Sequence, residues 1–195
     1  MTTGCLSGTI IDSSRIPFQN LLRMRFLFSI ALIFYALISH GQTSSKDFYI
    51  QALLRNNKGQ YEEAIKFFNR AIELKADYSE AFLSRGNAFF KMGKAERAVW
   101  DYDRAIELNP SLIKAYNHRA YCYTEMKDYR RAIEDFTHVV KNMPDYADVY
   151  VSRGQIHRWR KRYDMAMTDF SKAISLNPKS HLALYERSMT YLGKK

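Results

Sequence analysis

The sequence predicts an all-α protein in which pairs of helices stack into a solenoid. The first reason is a 34-residue period that continues without insertion or deletion from residue 45 to residue 191. The second is that each period holds two amphipathic segments separated by a break. The third is composition, because aromatic residues are frequent while glycine and proline are scarce. Such a composition favours packed helices over a turn-rich β protein.

The period appears when the two halves of each unit are aligned separately. The leading halves match in register at residues 45–52, 79–86, 113–120 and 147–154. The trailing halves match at residues 64–68, 98–102, 132–136 and 166–170. A period of this length is typical of repeat proteins, in which each unit buries its apolar faces against its neighbours.

Within the second unit, spacing predicts two helices. A first face with i, i+4 and i+7 spacing consists of Phe82, Gly86 and Phe89. Gly93 then breaks the run, and a second face consists of Ala98, Tyr102, Ala105 and Leu108. Pro110 cannot continue that helix. We expect the small residues to let the paired backbones approach while the aromatic rings fill the space between them.

These residues resemble the tetratricopeptide repeat (TPR) family, which has this period and this pattern of aromatic residues, small residues and proline. The resemblance covers residues 45–192. It implies a right-handed superhelix of helix-turn-helix repeats, and its parts are repeats 45–78, 79–112, 113–146 and 147–180 and a C-terminal capping helix at 181–192. The first unit departs most, because Arg55 and Ala76 replace an aromatic residue and a proline. We interpret this departure as capping, since a terminal repeat meets water on one side.

The N-terminal region indicates export. Basic residues precede an apolar stretch at 26–38, which as a helix would rise about 20 Å, less than the roughly 30 Å of a bilayer core. Ser39, His40 and Gly41 follow, so we interpret residues 24–41 as a signal peptide. Residues 1–23 fit neither pattern, and we interpret them as a non-native or disordered leader. We expect a periplasmic or secreted protein, and the alternative is a membrane anchor formed by residues 26–38. N-terminal sequencing of the native protein distinguishes the two.

The net charge of +10 is unevenly distributed. Residues 42–110 carry 11 Lys and Arg against 10 Asp and Glu, whereas residues 111–195 carry 16 against 9. The excess includes the run 157–162. Binding of a polyanion or a membrane surface through this basic half is therefore the alternative function, although the local distribution disfavours nucleic acid as a partner.

A column of arginines accompanies a column of aspartates. The arginines precede the small residue of each leading helix, and they are Arg85, Arg119, Arg153 and Arg187. The aspartates precede the aromatic residue of each trailing helix, and they are Asp101, Asp135 and Asp169. Both columns are absent from the first unit. We expect structural ion pairs between packed helices, formed within or between repeats, because the planar guanidinium fork suits a buried carboxylate.

The sequence gives little support to catalysis. His118 and Cys122 stand four residues apart on one helix, but a metal site needs three or four ligands. There is no phosphate-binding glycine loop, zinc-protease motif or nucleophile elbow in the sequence. We therefore expect no enzyme activity, no cofactor and no metal.

Stacked repeats create an extended groove, so the predicted function is a scaffold that binds a protein or peptide. By resemblance to the family, groove residues come from the leading helices at positions that packing does not use. They are Tyr49, Leu53, Asn56, Leu83, Asn87, Phe90, Lys91, Asn117, Tyr121, Thr124, Val151, Gln155, Arg158 and Trp159. Family members that grip the acidic tails of heat-shock chaperones use a Lys, Asn and Arg clamp at these positions. Only Asn87 matches that clamp, so we exclude this partner; the residues identify neither another partner nor an oligomeric state.

Overall fold

A computed structural model describes residues 43–194, and this range contains nine α-helices and no β-strand. The helices are α1 Ser45–Asn57, α2 Tyr61–Leu74, α3 Ser79–Lys91, α4 Ala95–Leu108, α5 Ile113–Glu125, α6 Tyr129–Asn142, α7 Ala147–Trp159, α8 Tyr163–Leu176 and α9 His181–Lys194. The all-α fold is confirmed. The predicted leader, signal peptide and alternative anchor lie outside the described residues. Among the described helices, none combines the length and hydrophobicity needed to cross a bilayer.

The helices alternate between leading and trailing members of a pair. We call the pairs α1–α2, α3–α4, α5–α6 and α7–α8 repeats 1 to 4, and α9 is a fifth leading helix. Each helix packs most closely on its pair partner, and each trailing helix also packs on the next leading helix. Successive leading helices touch each other at α1–α3, α3–α5 and α7–α9, so they share one face of the stack. We call it the leading-helix face.

Each pair turns at one residue with a left-handed backbone. In repeats 1 and 2 that residue is Gly59 or Gly93, with φ of 73° and 71°. In repeats 3 and 4 it is Lys127 or Lys161, with φ of 59° and 57°. A side chain in this conformation costs about 1–2 kcal/mol, so the two lysines occupy strained positions.

An aromatic ring against a small residue sets the distance between the helices of a pair. In repeat 2, a Cβ added to Gly86 would lie 2.7 Å from the ring of Tyr102, which is completely buried. In repeat 4, a Cβ added to Gly154 would lie at the same distance of 2.7 Å from the ring of Phe170. The predicted role of the small residues in backbone approach thus has a direct steric basis.

The arginine column pairs with the aspartate column within each repeat, a question that the sequence left open. Arg85 donates through Nε and Nη2 to the two carboxylate oxygens of Asp101, at 2.9 and 2.6 Å. The same two-pronged contact joins Arg119 to Asp135 and Arg153 to Asp169. The three carboxylates are buried. Burial raises the pKa of Asp101 and of Asp135, and the hydrogen bonds from arginine oppose that rise.

The third nitrogen of each arginine reaches back to the preceding repeat. Nη1 of Arg85 donates to Asn69 at 2.6 Å, and Nη1 of Arg153 donates to Thr137 at 3.1 Å. Nη1 of Arg119 donates to Asp103 at 2.5 Å. Each acceptor stands sixteen residues before its arginine, as each aspartate stands sixteen residues after it. Each arginine is therefore a clamp that joins the trailing helices of two successive repeats.

Repeat 1 replaces the clamp with a surface cluster. Phe67 occupies the aspartate position, and the guanidinium carbon of Arg55 lies 4.0 Å from the centre of its ring. Arg55 also donates to the side-chain oxygen of Gln51 at 2.9 Å, and it pairs with Glu63 at 3.5 Å. Both partners of the buried ion pair are thus replaced together, as capping predicts.

The fourth arginine of the column, Arg187 on α9, makes no ion pair within residues 43–194. The prediction that Arg187 forms a structural ion pair is therefore wrong within the described residues. The physical reason is that no trailing helix packs after α9 in the described range.

The clamps predict an ordered series of stability losses. Asp101→Ala leaves the guanidinium of Arg85 with only neutral Asn69, so we expect the free energy of unfolding to fall by about 3–5 kcal/mol. Asp135→Ala should cost less, because Arg119 keeps the carboxylate of Asp103. Urea unfolding followed by circular dichroism measures both losses.

Glu107→Ala is the control, because it breaks only an exposed pair with Arg104 and should cost about 0.2–1 kcal/mol. A loss for Asp101→Ala no larger than this control would show that the clamp contributes nothing beyond a surface ion pair.

Candidate functional site

The candidate site is the open, N-terminal part of the leading-helix face. Two adjacent depressions lie there, and the residues of α1, α3 and α5 position their walls. The first pocket has a volume of about 360 Å³ and is lined by Asn56, Tyr61, Asn87, Phe90, Lys91 and His118. The structure thus brings together four of the residues predicted for the groove.

A second pocket of about 380 Å³ continues along the face. It is lined by Ile113, Lys114, Asn117, His118, Val139, Met143 and Tyr146. His118 lines both pockets, so the two form a continuous path across three repeats. The lining combines apolar side chains with amides and lysines.

Two side-chain amides in this path are incompletely bonded. The Oδ1 atoms of Asn56 and Asn117 are shielded from solvent, and neither has a hydrogen-bond partner among the described residues. An unpaired buried acceptor costs about 1–3 kcal/mol. By contrast, Oδ1 of Asn87 accepts a hydrogen bond from the hydroxyl of Tyr102 at 2.8 Å. Asn56 and Asn117 are therefore the polar groups of the path that gain most from a new donor.

His118 is held neutral between the two pockets. Its ring stacks on Tyr102, with ring centroids 5.9 Å apart. Burial lowers the pKa of His118 from its usual 6.5, and the nearby charges of Lys114 and Lys91 lower it further. A neutral imidazole keeps one donor and one acceptor nitrogen for a ligand.

The C-terminal part of the same face is closed by α9. Nε2 of Gln155 donates to Oε1 of Glu186 at 2.8 Å, and Arg158 forms an ion pair with Glu186 at 2.9 Å. Glu186 is buried. The open path therefore ends before repeat 4.

Family models of the tetratricopeptide repeat match the chain in every repeat. A TPR repeat model matches residues 54–93 and 86–127, and two tetratricopeptide repeat models match residues 113–146 and 147–180. The chain belongs to the tetratricopeptide repeat family. No curated protein sequence matches it significantly.

Solved structures show the same TPR solenoid. MamA from Desulfovibrio magneticus RS-1 is 20% identical with a TM-score of 0.74, and the match covers 77% of this chain and 85% of that one. YrrB, described as a TPR protein with an unusual peptide-binding site, is 24% identical with a TM-score of 0.69, over 87% and 88% of the two chains. The Arabidopsis OM64 TPR domain is 28% identical with a TM-score of 0.57, over 59% and 95%. The predicted TPR-type solenoid is confirmed.

The structure corrects several of the groove residues expected for a TPR protein. Leu83 and Val151 are buried in the cores of repeats 2 and 4, because their position on the helix faces the next leading helix. Trp159 is exposed, but its ring packs against Tyr129 at the start of trailing helix α6, with ring centroids 5.9 Å apart. Gln155 and Arg158 are held by Glu186. These five residues therefore do not line the open path.

The remaining groove residues of this TPR face are held by neighbouring groups. The hydroxyl of Tyr49 shares a hydrogen bond with Ser84, and that of Tyr121 shares one with Ser152, at 3.1 and 3.0 Å. Thr124 donates to the backbone carbonyl of Ala120. Leu53 packs on the core of repeat 1. We infer that Tyr49 and Tyr121 brace successive leading helices against one another.

Cys122 is completely buried, and burial raises the pKa of its thiol to about 12. The thiol therefore stays protonated at neutral pH. His118 and Cys122, four residues apart on α5, thus provide no thiolate to act as a nucleophile or a metal ligand. Within residues 43–194, no three His, Cys, Asp or Glu side chains are grouped to hold a metal ion.

Sequence reasoning missed several residues of the path. His118 occupies the same helical position as Ile50, Ser84 and Ser152, and that column was not assigned to the groove. Tyr61, Met143 and Tyr146 come from a trailing helix or from the segment that follows one. The sequence signal was available for His118, whereas the other three required the packing of neighbouring repeats.

Burial of neutral His118 predicts that acid destabilises the protein. Below pH 6.5 the unfolded chain binds a proton that the folded chain does not, so the free energy of unfolding falls as the pH falls. His157 acts in the same direction, because burial lowers its pKa too. His118→Gln should therefore reduce the slope, by at most about 1.4 kcal/mol per pH unit. Urea unfolding between pH 7.5 and 5 measures it.

The matched control is His181→Gln, which removes an exposed histidine at the start of α9. If His118→Gln and His181→Gln leave the same slope, His118 is not held neutral in the folded protein.

Proposed function

We propose that this TPR chain is a protein-interaction scaffold that binds an extended segment of a partner protein along the two connected pockets. The observation that carries the proposal is the pair of adjoining pockets lined by apolar side chains and amides, among them Asn56 and Asn117, whose Oδ1 atoms have no hydrogen-bond partner among the described residues. Rotation of either amide toward its pocket would let a backbone N–H of a bound segment donate to it.

The lining supports this kind of ligand. Phe90, Ile113 and Met143 offer apolar contact, while Asn87 and His118 offer polar groups at intervals along the path. Recognition of an extended chain uses main-chain hydrogen bonds for affinity and pockets for alternate side chains. The peptide-binding site named for YrrB is in line with this proposal.

A second candidate ligand is a polyanion, and the basic residues at the turns of repeats 3 and 4 favour it. Lys127, Arg160, Lys161 and Arg162 form no ion pair among the described residues. Lys127 and Lys161 also hold left-handed backbones where the other repeats have glycine. Arg158, the first arginine of this run, is neutralised by Glu186 and does not contribute.

A peptide library displayed on phage and selected against the chain tests whether an extended segment binds in the two connected pockets. We expect the selected peptides to bind the unmodified chain and to lose tenfold or more in affinity for Phe90→Ala, because hot-spot side chains sit in such pockets. The control, Trp100→Ala, removes an exposed aromatic from trailing helix α4 of the same repeat and should leave affinity unchanged.

The charge-reversed chain Arg160→Glu with Lys161→Glu separates the two candidates. This variant should bind the selected peptides normally, and moderate salt should lower their affinity only slightly. Binding that survives Phe90→Ala, fails in the charge-reversed chain and drops by orders of magnitude between low and physiological salt would refute the groove and favour the polyanion.

A further inference from the structure

Helix α9 exposes a second surface that the proposed groove does not use. Its outward residues include large hydrophobics that are unusually open for a folded helix: Leu182, Leu184, Tyr185, Met189, Tyr191 and Leu192. A pocket of about 400 Å³ lies beside them, lined by Met167, Arg187, Ser188, Tyr191 and Leu192. Exposed apolar side chains beside such a pocket mark an interaction site.

Part of this surface corresponds to the face that trailing helices cover in the complete repeats. Leu184 is 36% exposed and Tyr191 is 56% exposed. In repeat 4 the equivalent residues are Tyr150 and His157, which α8 covers to 8% and 7%. We call the surface formed by Leu184, Arg187 and Ser188 the open α9 face.

The open α9 face also carries the donor half of a clamp. Arg187 stands where Arg85, Arg119 and Arg153 each bind an aspartate, and it has no ion pair within residues 43–194. Ser188 stands where Gly154 contacts the ring of Phe170. Its hydroxyl donates to the carbonyl of Leu184 at 3.0 Å, so it leaves no unpaired donor against an incoming ring. Ala120, with a side chain of similar size, packs fully buried in the same core as Phe136 in repeat 3.

We propose that the open α9 face docks an amphipathic helix of another protein that carries an aspartate directly before an aromatic residue. The pattern comes from the trailing helices, in which a small residue precedes the aspartate by three positions, as in Ala98 with Asp101, Ala132 with Asp135 and Ala166 with Asp169. The aspartate pairs with Arg187, and the aromatic ring packs on Ser188.

The described helices of a folded second copy cannot supply such a helix. Leading helix α1 has Asp47 before Phe48, but Asp47 already accepts hydrogen bonds from Ser44, and the ring of Phe48 lies 6.2 Å from that of Phe67. The aspartates and rings of α4, α6 and α8 are buried inside their own repeats. The remaining trailing helix, α2, has Phe67 in place of the aspartate. The occupant is therefore a partner whose helix is free of its own core.

The test uses the pattern itself as the probe. A fluorescent peptide with the sequence of residues 162–177 is titrated into the full chain, and fluorescence anisotropy measures binding. We expect saturable binding that falls tenfold or more for Arg187→Gln and equally for a peptide with Asp169→Asn. Because the two groups contact each other, combining both changes should cost little more than either alone. Lys179→Gln, which removes an exposed cation just before α9, is the control and should bind normally.

Three results overturn the proposal. One is the absence of saturable binding by the native peptide. Another is independent, additive losses from the two changes, which would show that Arg187 and the aspartate do not meet. The last is a concentration-dependent dimer in sedimentation that Arg187→Gln abolishes, since it would make a second copy the occupant. Circular dichroism of Arg187→Gln should match the unmodified chain, because this side chain joins no described ion pair.

Discussion

Each of Arg85, Arg119 and Arg153 holds two trailing helices at once, and the geometry of the stack follows from that contact. Two guanidinium nitrogens bind the aspartate of the same repeat, and the third binds an acceptor in the repeat before it. A fork with donors in a fixed plane fixes the relative position of both acceptors. Because Asp101 is completely buried, desolvation of its charge offsets much of the attraction within the pair, so the clamp determines geometry more than it adds stability.

The clamps explain why one face of the molecule is available for binding. They lie between leading and trailing helices, and they leave the residues of the leading-helix face free of structural ion pairs through repeats 1 to 3. At repeat 4 the face changes, because Glu186 binds Gln155 and Arg158. The solenoid is therefore asymmetric, with an open path at one end and, at the other, an arginine on α9 that has no ion pair among the described residues.

The fold was predictable because the constraints that produce it repeat at a fixed interval. Glycine at 86 and 154 and aromatic residues at 102 and 170 reveal a close helix contact even in one dimension. The paired loss of arginine and aspartate in the first unit likewise indicated that these residues bind each other. The third arm of the clamp was harder to see, because Asn69, Asp103 and Thr137 share acceptor chemistry but not residue type.

The candidate site was less predictable for a physical reason. A leading helix has residues that face the next leading helix and residues that face solvent, and the two sets differ by a single position. Leu83 and Val151 fell on the packed side, whereas Asn117 is buried yet reaches a pocket. Trp159 stands at the end of its helix, where the turn directs its ring to Tyr129. Glu186 lies outside the four complete repeats, so repeat alignment gave no signal that it would close the face.

The central claim is that the arginine clamps join repeats 2 to 4 into one rigid unit, and native-state amide hydrogen exchange tests it most directly. Exchange rates resolved by helix give the free energy of each opening. We expect α3 to α8 to open together at the global free energy of unfolding. We also expect α1 and α2, which lack both partners of the buried pair, to open at lower free energy, because the clamps reach them only through the bond from Arg85 to Asn69. Equal protection of α1–α2 and α5–α6, or separate opening of repeats 2, 3 and 4, would contradict it.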